Sequence, residues 1–566
     1  MPLLQSTGKV SPMRPWFLSL VVLLPLAIAA CSQAPSSDRV LRGGTVHLPD
    51  GARPLDVAIE GGRIVALVPP SESGAWCRRA REVVDLAGAH VYPGFTEDHA
   101  HLTGLGAALE QVDLKGATSF EVVVARVAAA AAKLPAGSWV AGRGWDQNLW
   151  PVKAFPHHAA LSEAVPDHPV ALRRVDGHAV LTNARGMALA GITRATLDPP
   201  GGRILRDASG VPTGVLVDGA EALLDRVVPD PTNTDVARRI EAAGRHLTSL
   251  GVTEIHDAGT GRSELRELRR LQHEGRLGVR VWVMLNGDDD ELLRNELESG
   301  PSVTTDGMLA VKGVKLYADG ALGSRGAWLS APYSDEPGTR GLEVTTRERL
   351  LAVVRQAAKA GFVPCIHAIG DAAVTRALDV YAEALADHLG LRPRIEHAQI
   401  VAPADVPRFA KLGVIAAVQP THCTSDMPWA PLRLGRERTL WAYRWRSLLT
   451  AGAHLSLGSD APIESADPRL GMWAAVTRRT VEGRPPEGWN SPEALSVTEA
   501  IAGYTAWAAY AAGEDGWRGQ IQPGFAADLT VLDRALEGRE PAAILQAKVV
   551  RTVVAGRDMF VAGSSN

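Results

Sequence analysis

Two histidines stand two positions apart in the stretch Pro93-Gly94-Phe95-Thr96-Glu97-Asp98-His99-Ala100-His101. On an extended chain, residues i and i+2 project from one face, so His99 and His101 can offer two imidazoles to one divalent metal ion. With 16 histidines in 566 residues, chance supplies about 0.4 such pairs, so the pair gains meaning only if other ligands join it. Four candidates stand at the ends of other apolar runs: Lys315 in Val314-Lys315-Leu316-Tyr317, His367 in Cys365-Ile366-His367, His397 in Arg394-Ile395-Glu396-His397, and Asp460 after Leu457-Gly458-Ser459. Imidazole and carboxylate are metal ligands, and a carboxylate beside a metal site can also act as a general base.

For these residues to meet, the runs that carry them must end on one rim. Eight strand candidates follow in order, at 89–95, 252–256, 279–285, 311–317, 362–367, 394–397, 414–419 and 454–458. Most are separated by helix-like Ala/Leu/Arg segments such as 347–360 and 374–386, the signature of a (β/α)8 TIM-type barrel in the α/β class. In that architecture the C-terminal strand ends carry the chemistry. The gap from 102 to 250 is too long for a structureless loop. It holds its own strand and helix patterns and reads as a folded insertion after the first barrel strand, placed to act as a lid or specificity element. Short β runs fill 40–91, with a Gly61-Gly62 hairpin signal, and recur near the end of the chain. The two ends are expected to meet in a small β-sandwich domain over 39–88 and 519–566, flanking a barrel over 89–518.

Composition excludes several classes. A chain 46% hydrophobic and 22% charged is ordinary for a globular enzyme. Lys9 and Arg14 precede an apolar run over 16–30 that is short for a membrane span and ends in small residues, which reads as a signal peptide over 1–30. Its end, Leu26-Ala27-Ile28-Ala29-Ala30-Cys31, resembles a bacterial lipobox, in which Cys31 becomes the lipid-modified first residue. The alternative is a plain cleaved leader with an incidental thiol. Ser32 after that cysteine implies sorting to the outer membrane, facing the periplasm, with 31–38 as a lipidated tether. The expected location is thus the bacterial cell envelope, with membrane contact through Cys31. Losing the leader's two cations takes the formal charge from −4 to −6. With no basic tract, nucleic acid is not an expected partner. The remaining Cys77, Cys365 and Cys423 are odd in number and form no CxxC, so no disulfide framework is indicated.

Longer segments then converge on one family. PGFTEDHAHL at 93–102, GRGWDQNLW at 142–150, VKLYADGALGSRGA at 314–327, HAIGDAAV at 367–374, RIEHAQI at 394–400, LGSDAPI at 457–463 and GQIQPGFAADLTVLD at 519–533 resemble the amidohydrolase superfamily. Within it they are similar to the YtcJ-like, N-substituted formamide deformylase-like branch, amidohydrolase family 3. Glu97 departs from that pattern, which commonly has Asp there, and little effect on metal binding is expected.

The resemblance implies a metal-dependent hydrolase of a non-peptide or small amide-type C–N bond, acting on a small molecule through metal-activated hydroxide. It implies two divalent ions, with Zn2+ the first expectation and a single ion the alternative. His99 and His101 would hold the more buried ion, and His367 and His397 the second. Lys315, as a carbamate formed with CO2, would bridge them; the plain alternative is an ordinary lysine paired with Asp319. Asp460 would bind one ion and serve as catalytic base. His178 would donate to the substrate carbonyl oxygen, and Trp145, Asp146, Ser324 and Arg325 are substrate-binding candidates. His256 and His422 match no ligand position of the family and read as pocket lining, Cys365 as packing, and Trp429, Trp441 and Trp445 as an apolar wall. Two alternatives stay open: an isomerase or a hydrolase of an ester, lactone or cyclic ureide, and a non-enzymatic metal-binding surface lipoprotein. Oligomeric state is also open, a homodimer included.

Overall fold

The computed structural model of the protein describes residues 37–174, 179–199, 201–386, 390–538 and 540–564. Eight strands form the central sheet: β1 (Phe95–Ala100), β2 (Val252–Thr260), β3 (Arg280–Asn286), β4 (Leu309–Tyr317), β5 (Val363–Ala368), β6 (Arg394–His397), β7 (Ile415–Val418) and β8 (His454–Leu457). They are hydrogen-bonded in chain order and all parallel. Every residue of β1, β6 and β7 is buried, as expected of a parallel sheet covered on both faces. This is the (β/α)8 barrel expected from the alternating pattern.

One boundary moves. Residues 89–95, read from sequence as the first barrel strand, split at Gly94. His90–Pro93 runs antiparallel to Leu529–Leu532, with Val91 opposite Val531, and parallel to Arg39–Leu48. It therefore belongs to the flanking domain, and the barrel begins at Phe95. Gly94 alone stands between the two strands. Gly94 also passes close to β2, since a Cβ there would lie 2.2 Å from Thr253 Oγ1.

The flanking domain is one continuously hydrogen-bonded sheet of eight strands built from both chain ends. Its core of Leu41, Val57, Ile59, Val91, Leu529, Val531 and Val553 is separate from that of the barrel. Buried polar links join the two bodies. Thr530 Oγ1 donates to Gly251 O at 2.6 Å and accepts from Phe95 N at 3.2 Å. Arg280 of β3 makes two hydrogen bonds, of 2.7 and 3.1 Å, to Asp528.

The 102–250 stretch is folded, as its length requires. Its ends are barrel helices, α1 (Leu102–Glu110) and α2 (Asn233–Ser249). They pack so closely that a Cβ on Gly106 would meet Arg239 O at 2.1 Å. Between them lies a six-stranded sheet with its own core of Leu114, Val123, Val127, Trp145, Trp150 and Leu172. Its Gly202–Arg206 and Pro212–Asp218 strands form an antiparallel hairpin. No helix among the described residues is long and apolar enough to cross a membrane. The leader and Cys31 lie outside the described residues.

Gly94→Ala tests the crossing point. Overpacking against Thr253 should cost about 1–3 kcal/mol and lower the thermal midpoint. Gly338→Ala, whose added Cβ meets nothing within 4 Å, should leave the midpoint unchanged.

Candidate metal centre

The strand path begins at β1 and ends at β8, and the seam between them is closed by polar contacts at their C-terminal ends. Asp460 N donates to His99 O at 2.7 Å, and His101 N donates to Ala461 O at 2.8 Å. The buried Glu97 carboxylate accepts from Ser459 N at 2.6 Å and from His99 N at 3.3 Å. Gly458 is required here, because a Cβ would lie 2.6 Å from both Glu97 Oε1 and His99 N. Burial pushes the Glu97 carboxyl up to about 8 despite these donors. Asp460 itself sits at φ +61°, a left-handed conformation that costs a non-glycine residue of order 1–3 kcal/mol and is typical of functional sites.

The seam brings ligands together. Asp460 Oδ1 lies 3.2 Å from His101 Nε2 and 3.6 Å from His99 Nε2, and Asp460 Oδ2 lies 3.8 Å from His422 Nε2. Two convergent groups result, His99/His101/Asp460 and His397/His422/Asp460, each with its donor atoms within 4.8 Å of one another. His422 was read from sequence as pocket lining, yet it joins the cluster. It stands on α3 (Pro420–Asp426), the turn that follows β7. It was set aside because it matches no ligand position of the family; the signal was its place in Gln419-Pro420-Thr421-His422, directly after an apolar strand.

Strands β4 to β6 supply the rest in register. Lys315 stands beside Cys365 and Cys365 beside Arg394; Tyr317 stands beside His367 and His367 beside Glu396; Ala368 stands beside His397. His397 ends its strand at φ +72°. Its ring centroid lies 4.4 Å from that of His367 and 4.9 Å from that of His99.

His99 Nδ1 bonds Glu396 Oε2. That carboxylate fixes the proton on Nδ1 and turns the Nε2 lone pair into the site, the usual second partner of a metal-bound histidine. Lys315 Nζ lies 3.3 Å from that Nε2. Among the described residues no carboxylate lies within salt-bridge distance of Lys315, so the expected alternative pairing with Asp319 is not formed. Asp319 instead accepts from Ile369 N, Gly370 N and Trp328 N at 2.7–3.0 Å and organises the loops beside the site.

Beneath the rim is a buried polar layer. Arg394, fully buried, bonds Glu396 at 2.7 and 3.1 Å, Asp98 at 2.9 Å and His256 Nδ1 at 2.9 Å. His256 Nε2 meets Glu254 at 3.0 Å, and Glu254 accepts from Arg518 at 2.7 Å. Charges this deep must be paired, because an uncompensated one costs several kcal/mol. His256 therefore belongs to this support layer and does not line the pocket. Cys365 is packing, as expected: it lies among Trp282, Met284 and Val363, and burial raises its thiol pKa.

The electrostatics suit cation binding. Burial and the charge of Lys315 hold His367 down to about 3 and His99 well below the ordinary imidazole value. Burial and the neighbouring His367 do the same to His397. Burial also lowers Lys315, against the pull of Glu396 and Asp460. At Asp460 burial pushes the pKa up, but the hydrogen bond from His101 and the nearby imidazoles outweigh it, holding the carboxyl below the usual range. The site therefore offers neutral imidazoles around an ionised carboxylate. His367 Nε2, His397 Nδ1 and His422 Nε2 are buried without a hydrogen-bond partner. His367 Nε2 comes to 3.5 Å from Asp319 Oδ1 without bonding geometry. Unpaired buried acceptors are costly, and a divalent cation satisfies them; the donor set fits one.

The other candidates lie elsewhere or are otherwise engaged. Trp145 is fully buried in the insertion core with its indole N–H on Leu172 O at 2.8 Å, so it packs that domain and does not face a substrate. Asp146 caps the turn at Asn148 and pairs with Arg174 at 2.9 Å. Ser324 is exposed and bonds Ala321 O at 3.3 Å, while Arg325 is held by Asp335 and Glu336 at 3.0 and 3.1 Å. Trp445 is core, under Arg478; Trp429 and Trp441 are only partly buried. His178 lies outside the described residues.

Residues 82–560 match the model of an amidohydrolase family. The chain belongs to this family. It is 33% identical to the Bacillus subtilis protein YtcJ over 485 residues, covering 85% of this chain and 90% of that protein. It is 28% identical to the N-substituted formamide deformylase of Arthrobacter pascens, covering 88% and 94%. A solved structure of an uncharacterized metal-dependent hydrolase from Pyrococcus furiosus superposes with a TM-score of 0.72 at 33% identity, covering 88% of this chain and 99% of that one. This amidohydrolase is thus a metal-dependent enzyme, a hydrolase of carbon–nitrogen bonds other than peptide bonds, and its substrate is a small molecule.

The depressed histidines give a pH signature. In the unfolded chain each titrates near 6.5, so as pH falls through that value the unfolded state takes up protons that the folded site refuses, and stability is lost toward the folded pKa values. The EDTA-treated protein should lose thermal stability between about pH 7 and pH 5. His367→Asn should flatten that slope; an identical slope in the variant is the contrary result.

Proposed function

We propose that this amidohydrolase cleaves the C–N bond of a small non-peptide amide, with an N-acyl or N-formyl amine as substrate class. The observation that carries the reading is the meeting of His99, His101 and Asp460 at the barrel seam, with their donor atoms within 4.8 Å of one another. The likeness to a deformylase of N-substituted formamides supports the choice of bond. Substrate enters on the side of His101, whose side chain is 36% exposed while that of His99 is 0%.

His99, His101 and Asp460 would hold one divalent ion, zinc being the first expectation, and His397 belongs to a second position. Such ions supply Lewis acidity, lowering the pKa of water in the site from 15.7 toward about 7 and polarising the carbonyl. The chain's own residues move the proton. As the water oxygen bonds to the carbonyl carbon, the Asp460 carboxylate takes the water's proton. It returns that proton to the amide nitrogen as the C–N bond breaks, leaving a carboxylic acid and an amine. The low basicity of Asp460 suits the second transfer, because a weakly held proton is readily given up. Glu396 keeps His99 in one tautomer throughout. Burial lowers the pKa of Lys315 and so favours the free amine, which would react with CO2, releasing a proton and forming a carbamate whose oxygens would add anionic ligands beside His99.

Asp460→Asn should keep its fold and lose turnover by several orders of magnitude on a panel of N-formyl and N-acyl amines; wild-type activity in this variant removes Asp460 as the base. Lys315→Ala should lose bound metal and regain activity with added bicarbonate or short carboxylates. A variant that ignores them argues against the carbamate. We further infer from the leader that Cys31 carries lipid and holds the enzyme in the bacterial envelope. Cys31→Ala should then abolish fatty-acid labelling and release the protein from membranes, and persistent labelling would exclude Cys31 as the site.

A further inference from the structure

Lys315 and Tyr317 stand two positions apart on β4, so their side chains leave one face of the strand. Tyr317 is the last residue of that strand and lies nearer the mouth of the barrel. Lys315 Nζ is 4.8 Å from the centroid of the Tyr317 ring, and that centroid is 5.6 Å from the centroid of the His367 ring. The phenol is therefore set against two members of the candidate centre. Its residue is half-buried, and its hydroxyl has no hydrogen-bond partner among the described residues. A tyrosine hydroxyl withdrawn from water ordinarily finds a partner, as those of Tyr333, Tyr381 and Tyr443 do on a carbonyl or carboxylate oxygen. Space is kept beside the Tyr317 hydroxyl by Gly259 of β2, at φ +94°. A Cβ there would lie 3.2 Å from that hydroxyl and 3.9 Å from Lys315 Cγ.

We propose that Tyr317 is a catalytic residue, its hydroxyl donating a hydrogen bond to the carbonyl oxygen of the amide substrate as that oxygen gains negative charge. The assignment rests on the hydrolase reading above and deepens it. Asp460 Oδ1 lies 3.6 Å from His99 Nε2, and that nitrogen lies 3.3 Å from Lys315 Nζ, over which the phenol sits. A carbonyl placed for attack beside Asp460 is therefore close to Tyr317 as well. A neutral phenol donates, and a donor already held in place pays no reorganisation when charge develops. The ring contacts with Lys315 and His367 hold this one. A carbonyl oxygen has two lone pairs, so the contact is compatible with the one expected of His178.

Tyr317→Phe in the full chain tests it. The substitution breaks no internal hydrogen bond, so after loading with Zn2+ its thermal midpoint and metal content should equal those of the wild type. Its kcat on the N-formyl and N-acyl amines should fall about 100-fold, with KM little changed. A wild-type kcat, a change confined to KM, or loss of metal overturns the assignment. A second readout uses no turnover. Acetohydroxamate presents a carbonyl oxygen to a metal centre and is not an amide substrate of this kind, so its affinity can be titrated by calorimetry in both proteins. Loss of one hydrogen bond should weaken it about tenfold in Tyr317→Phe; equal affinity, or no binding by either protein, overturns the assignment. A wild type inert toward the amine panel, with tenfold weaker hydroxamate binding in Tyr317→Phe, removes the functional reading alone. An active wild type with equal binding in both proteins removes the Tyr317 assignment alone.

Discussion

The hydrogen bond from the Asp460 amide to the His99 carbonyl is the contact on which the site depends. A parallel barrel closes only when its first and last strands meet, and here that meeting is made by the backbone of residues whose side chains converge as candidate ligands. Closure and assembly of the centre are therefore one event. Glu97 reinforces it by accepting from Ser459 and His99 across the same seam, and Gly458 leaves the space that makes the approach possible.

The buried layer under the rim performs a second task. Arg394, Glu396, Asp98, His256, Glu254 and Arg518 form a chain of paired charges through the barrel interior. Each would be expensive alone, and together they fix one arrangement. The layer ends at His99 Nδ1, so the orientation of the innermost imidazole is set by groups that never reach the substrate. Above it burial holds the pKa values of His99, His367 and His397 down, while at Asp460 the hydrogen bond from His101 and the nearby His99 and His422 outweigh burial and hold the carboxyl below its usual range.

Much of this was legible in the residues. Alternating strand and helix patterns marked the barrel, and the strand-end positions of His99, His101, His397 and Asp460 marked the rim. What escaped was information that lies between elements. The split at Gly94 was hidden because a single residue separates the two strands. Glu396 looked like part of a motif, and its role appears only when β6 is set beside β1. His422 follows its strand closely, but it was discounted because it matches no ligand position of the family. The packing of Trp145 in the insertion core and the pairing of Arg325 with Asp335 and Glu336 were not legible in their distinctive sequence neighbourhoods.

The pairing of Val91 with Val531 also constrains how the molecule comes into being. During synthesis the early strands of the flanking sheet must wait with an open edge until nearly the whole chain has emerged, and β1 waits in the same way for β8. Contacts of such long range are slow to form, and unpaired edges invite association with other chains. A fragment ending before residue 454 would lack β8, the seam and three of the eight strands of the outer sheet at once, so shortening this chain from its end should yield an aggregating intermediate and not a weaker enzyme.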